Sequence, residues 1–298
     1  MSWIREEELK LSWIENLAIK VIKQGPIPRH VAFIMDGNRR WASKLNIKRS
    51  EGHKVGFEKL SEALQWCLEV GIQEVTVYAF SIENFKRSQE EVDTLMSLAR
   101  EKFAKLLEEK EKLREKGIKI RVIGNLDMLP KDVQKTLAEA MLLTKDNNRS
   151  ILNVAFAYTS RDEITNSIKT IMQGYEDNEL LPEDLTDTLI DKCLYTSECS
   201  DVDLLVRTSG ENRFSDFLLW QIPSTVFYFT EALWPDFTLW NLLAAVFYYQ
   251  RCHVHKKSLK QHFSKTRTAL SKSSRLEKFL TSLEDKRYAK LVEMSKFV

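Results

Sequence analysis

The sequence predicts an α/β fold: a single domain with a mostly parallel central sheet flanked by helices, preceded by an N-terminal amphipathic helix and followed by a C-terminal helical extension. Three observations carry that expectation. Short β-prone runs that are apolar at every position alternate with longer stretches of helical periodicity, as expected of strands buried on both faces between crossover helices. Several of these runs end abruptly in polar residues, which is how strands deliver chemistry to one edge of an open sheet. The alternation shows no internal sequence similarity, which argues for one domain. Its expected limits are residues 26–250, between an N-terminal helix over 1–25 and a basic helical extension over 251–298.

In chain order, residues 2–23 place Ile14, Leu17, Ala18, Val21 and Ile22 on one helical face, with Trp3 and Trp13 nearby. Such a helix suits a membrane surface or the protein's own fold, and docking on the fold is the commoner outcome. Gly25-Pro26-Ile27-Pro28 breaks it. Val31-Ala32-Phe33-Ile34-Met35 then reads as a central strand ending in Asp36-Gly37-Asn38-Arg39-Arg40. Gly37 lets the backbone turn and approach a ligand, Asn38 and the arginines can hold phosphate oxygens, and Asp36 can ligate a hard cation such as Mg²⁺. A plain Asp-Gly turn would use the same residues.

Arg49, His53 and Lys54 open an amphipathic helix with Phe57, Leu60, Leu64, Cys67 and Leu68 inward. Cations there add to the positive end of the helix, a good place for a diphosphate. Glu74–Phe80 is a second strand, running into Ser81-Ile82-Glu83-Asn84-Phe85-Lys86-Arg87. Ser88-Gln89-Glu90-Glu91 has the pattern of a capping box opening one helix to about Lys116, roughly 40 Å long. Its stripe of Val92, Leu95, Met96, Ala99, Phe103, Leu106, Leu107 and Leu113 suits either plain core or the wall of a long hydrophobic cavity. Gly117 ends it before the strand Ile118–Ile123. A helix after Pro130, the strand Ser150–Tyr158 and a second capping box at Ser160-Arg161-Asp162-Glu163 follow. Residues 175–200 read as an acidic surface connection with a short helix after Pro182. Asp203–Trp220 carries a strand into a loop around Gly210, where Arg207, Arg213 and Ser215 are placed to meet an anion. Trp234-Pro235-Asp236-Phe237 precedes a helix over Leu239–Tyr249, with Asp236 or Thr238 as its cap.

With 298 residues, 43% hydrophobic and 10% aromatic, the chain can build a sizeable core. The formal charge of +2 conceals an asymmetry, because His253–Val298 holds 12 Lys/Arg against 4 Asp/Glu. Attraction to anionic lipid or an acidic partner is therefore expected at the C-terminus. The four cysteines have no metal-ligand spacing and no signal peptide is evident, so reduced cytosolic thiols are expected. Nothing is long and apolar enough to span a bilayer. A nucleotide enzyme is disfavoured by the lack of a GxxxxGK[ST] loop or GxGxxG turn, and no nucleic-acid partner is expected.

The motifs MDGNRRWA, EGHKVGFEKL, VYAFSIENFKRS, DLLVRTSGENRFSDFLLWQ and LWPDF, in this order and spacing over about residues 26–250, resemble the cis-prenyltransferase family, also called undecaprenyl diphosphate synthase-like enzymes. The opening Met-Ser-Trp, the Ser81–Ser88 variant and the C-terminal extension are most similar to its eukaryotic, dolichol-forming branch. The resemblance implies condensation of isopentenyl diphosphate onto an allylic diphosphate such as farnesyl diphosphate, with a cis double bond made in each cycle. It implies Asp36 as Mg²⁺ ligand; Gly37, Asn38, Arg39 and Arg40 as the allylic diphosphate cradle, closed by Arg49 and His53; Arg207, Arg213 and Ser215 as the isopentenyl diphosphate site; and Ser81, Asn84 and Arg87 as residues that orient the substrates and assist proton loss. Val226 and Asn212 stand where the family has a glutamate and a histidine near the metal, so the metal assignment rests on Asp36 alone. Single-subunit members end in an Arg-x-Gly segment, whereas no glycine follows Gly210 here. A Nogo-B receptor-like subunit is therefore expected to supply that segment and to hold the chain peripherally on the cytosolic face of the endoplasmic reticulum membrane.

Overall fold

In a computed structural model of the chain, residues 11–266 and 273–297 are described. Within them β1 (His30–Ile34), β2 (Glu74–Ser81), β3 (Ile118–Ile123), β4 (Ser150–Tyr158), β5 (Leu204–Arg207) and β6 (Val226–Phe229) form one sheet in the order 3-4-2-1-5-6. Every neighbouring pair is parallel. β1 is buried along its whole length because both faces of the sheet are covered. Val31 and Phe33 face a large cluster with Leu60, Trp234 and Phe237, and Ala32 and Ile34 face a second one with Phe217 and Ile222. The period of two along a strand divides one apolar run between two cores. Pairing of Phe33 with Val77 and of Ile34 with Arg207 brings the carboxyl ends of β1, β2 and β5 to one edge.

The flanking helices are α1 (Trp13–Ile22), α2 (Asn38–Lys44), α3 (Arg49–Val70), α4 (Gln89–Glu108), α5 (Lys110–Lys116), α6 (Lys131–Thr144), α7 (Ser160–Glu176), α8 (Asp187–Cys193), α9 (Leu239–Thr266) and α10 (Ser274–Met294). None of the described helices is long and apolar enough to cross a membrane. α1 docks on the fold beside α3 and α9, but through a different face from the expected one. Ile19 is buried and Leu11, Ala18 and Ile22 pack on the core, while Trp13, Ile14, Leu17 and Val21 are exposed. Its end is held by hydrogen bonds from Gln250 Nε2 to the Ile22 carbonyl and from Lys23 Nζ to the Glu69 carbonyl. Trp3 lies outside the described residues. On α3, Leu68 also points outward while Cys67 is buried.

The helix expected over Ser88–Lys116 is two helices. Glu109 leaves the helical region at φ −92°, ψ 20°, between α4 and α5. Residues 108–112 are all charged, so no apolar contact holds that turn on the core until Leu113, which is buried. Both expected capping boxes differ as well. Ser88 accepts from the Glu91 N–H, but the Glu91 carboxylate turns toward arginines instead of back to the cap. The cap of α7 is Thr159, one residue before the expected Ser160, and Glu163 turns inward to accept from Tyr158, Thr196 and Gln221. Tertiary partners outbid the local cap in both cases.

Residues 175–200 are more than a surface connection. Leu180, Leu189 and Cys193 form a core with Ile171 of α7 and with Leu276 and Phe279 of α10. Arg275 Nη2 meets the buried Asp184 at 2.8 Å. α9 continues unbroken past Tyr249 to Thr266, and its Lys256 pairs with Asp203 at 2.5 Å beside the amino end of β5. Arg287 on α10 donates to the carbonyls of Lys192, Cys193 and Leu194 and to Ser197 Oγ. The Lys192 and Cys193 carbonyls are left unpaired by the end of α8, while Leu194 also accepts from the Ser197 N–H, so Arg287 satisfies the first two and opposes the negative end of the dipole. Arg287→Ala is expected to destabilise the protein by about 2–4 kcal/mol through stranded carbonyls. A shift in denaturant midpoint, with faster amide exchange confined to α8 and α10, is the check.

Candidate active site

The carboxyl ends of β1, β2 and β5 open into a cleft of about 1200 Å³. Its floor and inner wall are apolar, with Phe57, Leu60, Val77, Phe80, Leu95, Leu98, Phe103 and Phe156, and its mouth is cationic, with Arg39, Arg40, Arg49, Arg87, Arg207 and Arg213. The α4 stripe is thus partly core and partly cavity wall, since Leu95 and Phe103 line the cleft and Leu106 is fully buried. Lys102, which the helical pattern gave no reason to place inside, lines the same wall with its ammonium 4.9 Å from the Phe57 ring centroid.

Gly37 caps α2 at φ 108°, a left-handed conformation that costs glycine little and side-chain-bearing residues much more. The turn folds Asp36 back so that Oδ1 accepts from the Gly37 N–H at 2.7 Å and Oδ2 meets Arg207 Nη2 at 2.9 Å. Asp36 is therefore one-third exposed and already paired. Arg207 is 2% exposed, and its Nη1 donates to Ser215 Oγ at 2.8 Å and to the Arg213 carbonyl. Arg40 stands 3.8 Å from Asp36 and 3.4 Å from Glu211, and Arg213 also pairs with Glu211. Ser81 and Asn84 are tied to one another as a capping box, the Ser81 N–H donating to Asn84 Oδ1 at 3.0 Å.

The residues assigned to the metal, the two diphosphates and proton loss all line this cleft, namely Asp36, Gly37, Asn38, Arg39, Arg40, Arg49, His53, Ser81, Asn84, Arg87, Arg207, Arg213 and Ser215, whereas Lys54 does not. Three buried polar atoms among them, Asn38 Oδ1, His53 Nε2 and Arg207 Nε, have no hydrogen-bond partner in the protein. Val226 is different. It is buried at the amino end of β6, in register with Leu204, and so lies a full strand length from the edge that carries Asp36; its replacement of a carboxylate does not empty this edge.

Residues not singled out complete the site. Tyr78 donates to the Ser215 and Tyr158 carbonyls at 3.2 and 3.1 Å, and burial pushes its hydroxyl up to about 12, which keeps it a donor. Asp216 accepts from Arg161 Nε at 2.8 Å. Nothing local marks either residue, because each meets a partner distant in sequence, Tyr78 on the loop after β5 and Asp216 at the start of α7.

These features have counterparts in known proteins. Residues 34–256 match the prenyltransferase family described as putative undecaprenyl diphosphate synthase. The chain belongs to that prenyltransferase family. Among its relatives, a subunit of the dehydrodolichyl diphosphate synthase complex of Homo sapiens is 56% identical over 235 residues, 79% of this chain and 70% of the relative. The tritrans,polycis-undecaprenyl-diphosphate synthase (geranylgeranyl-diphosphate specific) of Pyrococcus abyssi is 44% identical over 74% of this chain and 83% of its own. The crystal structure of lavandulyl diphosphate synthase from Lavandula x intermedia, in complex with dimethylallyl diphosphate, superposes with a TM-score of 0.71 at 34% identity, covering 75% of this chain and 95% of that one. The prenyltransferase fold is thus shared along with the motifs.

A metal fits this prenyltransferase site in one way. Among the described residues no group of three or more His, Cys, Asp or Glu side chains converges as a ready-made cage. One carboxylate at a strand end, with substrate phosphates and water, suits Mg²⁺, which seldom takes an all-protein shell. Asp36 meets that description.

His53 yields a pH prediction. Burial, with Arg87 adding to it, holds the imidazole below its ordinary value, so the free protein carries it neutral at pH 7. A diphosphate beside it would favour the imidazolium, making the bound value the higher one. Affinity for a diphosphate should then rise as pH falls through the bound value and level off below the free value. Calorimetric titration with pyrophosphate in buffers of different ionisation enthalpy should report proton uptake in the wild type and none from this site in His53→Gln.

Proposed function

We propose that this chain is the catalytic subunit of a long-chain cis-prenyltransferase of the dehydrodolichyl diphosphate synthase type, adding isopentenyl diphosphate units to farnesyl diphosphate to make polyprenyl diphosphate for dolichol synthesis and protein glycosylation. The observation that carries this reading is the cleft itself: a cationic mouth at the strand ends continuous with an apolar wall of Phe57, Leu60, Phe80, Leu95 and Phe103. A diphosphate head and a growing hydrocarbon tail need those two environments joined.

The residues take the following roles. Arg39, Arg40, Arg49 and Arg87, with Gly37, Asn38 and His53, hold the allylic diphosphate. Asp36 would hold Mg²⁺, which when bound would neutralise the charge on the departing diphosphate. Arg213 and Ser215 hold isopentenyl diphosphate, with Arg207 fixing the loop that carries them. The shared buried guanidinium keeps the two diphosphate sites at a constant spacing, so the isopentenyl double bond meets the allylic carbon as its C–O bond breaks. Ser81 and Asn84 orient the substrates for loss of the proton that leaves the cis double bond. The apolar wall excludes water from the allylic cation.

Asp36→Asn is the sharper test than Asp36→Ala, since it keeps the side chain's shape and one acceptor oxygen for either the Gly37 N–H or Arg207. It should lower kcat by about 10²-fold or more and also lower the melting temperature, because the buried Arg207 loses its counter-charge. Full activity would overturn the metal assignment. The two loop arginines should separate. Arg213→Lys should raise the KM for isopentenyl diphosphate with little effect on farnesyl diphosphate, because a point charge does not reproduce a bidentate fork. Arg207→Lys should impair both substrates, since it also unties Asp36.

The relatives named as complex subunits support a second polypeptide. We place with it the Arg-x-Gly segment, in a Nogo-B receptor-like subunit that also holds this chain on the cytosolic face of the endoplasmic reticulum membrane. Supporting this, no glycine follows Gly210 in these 298 residues to let backbone N–H groups close on a diphosphate. The pure chain should make little polyprenyl product from labelled isopentenyl diphosphate, farnesyl diphosphate and Mg²⁺, and co-expression with the partner should restore synthesis. Robust synthesis by the chain alone would refute the need for a partner.

A further inference from the structure

Three arginines and a histidine assigned to the allylic diphosphate come from three separate places in the chain. Arg39 lies on α2, Arg49 and His53 on the first two turns of α3, and Arg87 at the end of the short 3-10 turn after β2. Like charges gathered in one partly buried mouth repel, and nothing in these three segments by itself keeps their side chains converged. One carboxylate does. Glu91, on the first turn of α4, meets Arg87 Nη1 at 2.7 Å, Arg49 Nη1 at 3.9 Å, His53 Nε2 at 3.9 Å and Arg39 Nη1 at 4.0 Å.

Its setting is specific. The Glu91 side chain is 10% exposed, and it does not line the cleft, whereas Arg39, Arg49, His53 and Arg87 all do. The cations stand between it and the space a diphosphate would fill. Its carboxylate forgoes the reciprocal bond to the Ser88 cap that its position in the helix offers, so the backbone of α4 is capped by Ser88 alone and the charge is spent on the cluster. The bond to Arg87 is a close i,i+4 contact, while the other three distances are too long for hydrogen bonds and leave those groups' donors free. His53 Nε2 is buried with no hydrogen-bond partner at all.

We infer that Glu91 is the positioning residue of the allylic diphosphate site: a carboxylate behind the cation cluster that holds four groups from three directions toward one point before any substrate arrives. Preorganising donors in this way lowers the cost of ordering them on binding. The inference rests on the assignment of this mouth to the allylic diphosphate. The Glu211 pair with Arg213 is separate from Glu91, so the isopentenyl site should not depend on it.

The test is calorimetric titration of farnesyl diphosphate with Mg²⁺ and no isopentenyl diphosphate into the full chain, alongside KM values for both substrates in the partner-bound enzyme. Glu91→Gln, which keeps the shape and one acceptor for Arg87, should weaken farnesyl diphosphate binding about tenfold or more, with the isopentenyl diphosphate KM within about twofold of wild type. Glu91→Asp, which keeps the charge but withdraws it by one methylene, should fall between. A merely structural role for α4 would move both KM values together and lower the melting temperature in proportion. Unchanged or tighter farnesyl diphosphate binding in either variant overturns the inference, since loss of simple charge repulsion would then outweigh positioning, and so do equal changes for the two substrates. Failure of the wild-type chain to bind farnesyl diphosphate would instead refute the allylic assignment on which the inference depends.

Discussion

The arrangement depends on one buried guanidinium. Arg207 carries a full charge at 2% exposure at the end of β5, a position that would cost several kcal/mol without compensation. Asp36 at the end of β1 provides the opposite charge, and Ser215 Oγ and the Arg213 carbonyl take further N–H groups. Because its partners lie at the end of β1 and on the loop after β5, this single side chain at the end of β5 ties both strands and that loop into one unit. Removing Asp36 would leave the charge stranded, which is why its carboxylate serves structure as well as chemistry.

The loop after β5 shows what that tie holds in place. Ser215, Asp216 and Leu218 have φ values of 52°, 59° and 52°, a left-handed conformation that costs non-glycine residues on the order of 1 kcal/mol each. Outside bonds hold them there. The Ser160 N–H donates to the Asp216 carbonyl and the Leu219 N–H to Ser160 Oγ, both at 2.8 Å, while Tyr78 donates to the Ser215 carbonyl. The strained turn exposes Arg213 and buries Phe217 and Leu218 in the second core, so the positions of the polar groups are fixed by apolar packing on the other face of the sheet. The mouth as a whole follows one rule: its arginines have carboxylates at hand in Asp36, Glu91 and Glu211. A polyanion site stays ordered when empty only if its cations are partnered without being consumed.

The sheet was legible because strands buried on both faces read as uninterrupted apolar runs, and the cleft was legible because those runs stop at Asp36, Ser81 and Arg207. Elements that answer to a partner far away in sequence were not legible. Of the ten residues of α1, Trp13, Ile14, Leu17, Ala18, Ile19, Val21 and Ile22 are apolar, so periodicity alone does not choose a docking face. In sequence Glu91 and Glu163 follow Ser88 and Ser160 at capping-box spacing, and only the folded neighbours reveal that each carboxylate has a stronger claim elsewhere. α10 has an ordinary basic amphipathic sequence, and its attachment depends on Arg287 meeting the end of α8, which no local pattern announces. Local signals therefore located the chemistry, and long-range pairing supplied what holds it still.

That division also explains the two glycines of the EGHKVG segment. A Cβ on Gly52 would stand 2.5 Å from the Asn38 carbonyl oxygen, and one on Gly56 would stand 2.2 Å from Asn38 Oδ1. Both are well inside van der Waals contact, so α2 and α3 reach this separation because those two positions lack side chains. The Gly56 carbonyl in turn accepts from Trp234 Nε1 at 2.7 Å, and Trp41 Nε1 donates to Asp236 at 2.8 Å, which pins the Trp234–Phe237 segment across both helices. Close approach is what lets Asn38 and Arg39 from one helix and Arg49 and His53 from the next face the same point. Any side chain at position 56 would have to push α2 outward or displace the Asn38 amide, and the convergence of the cations would be lost before a single charged residue had been changed.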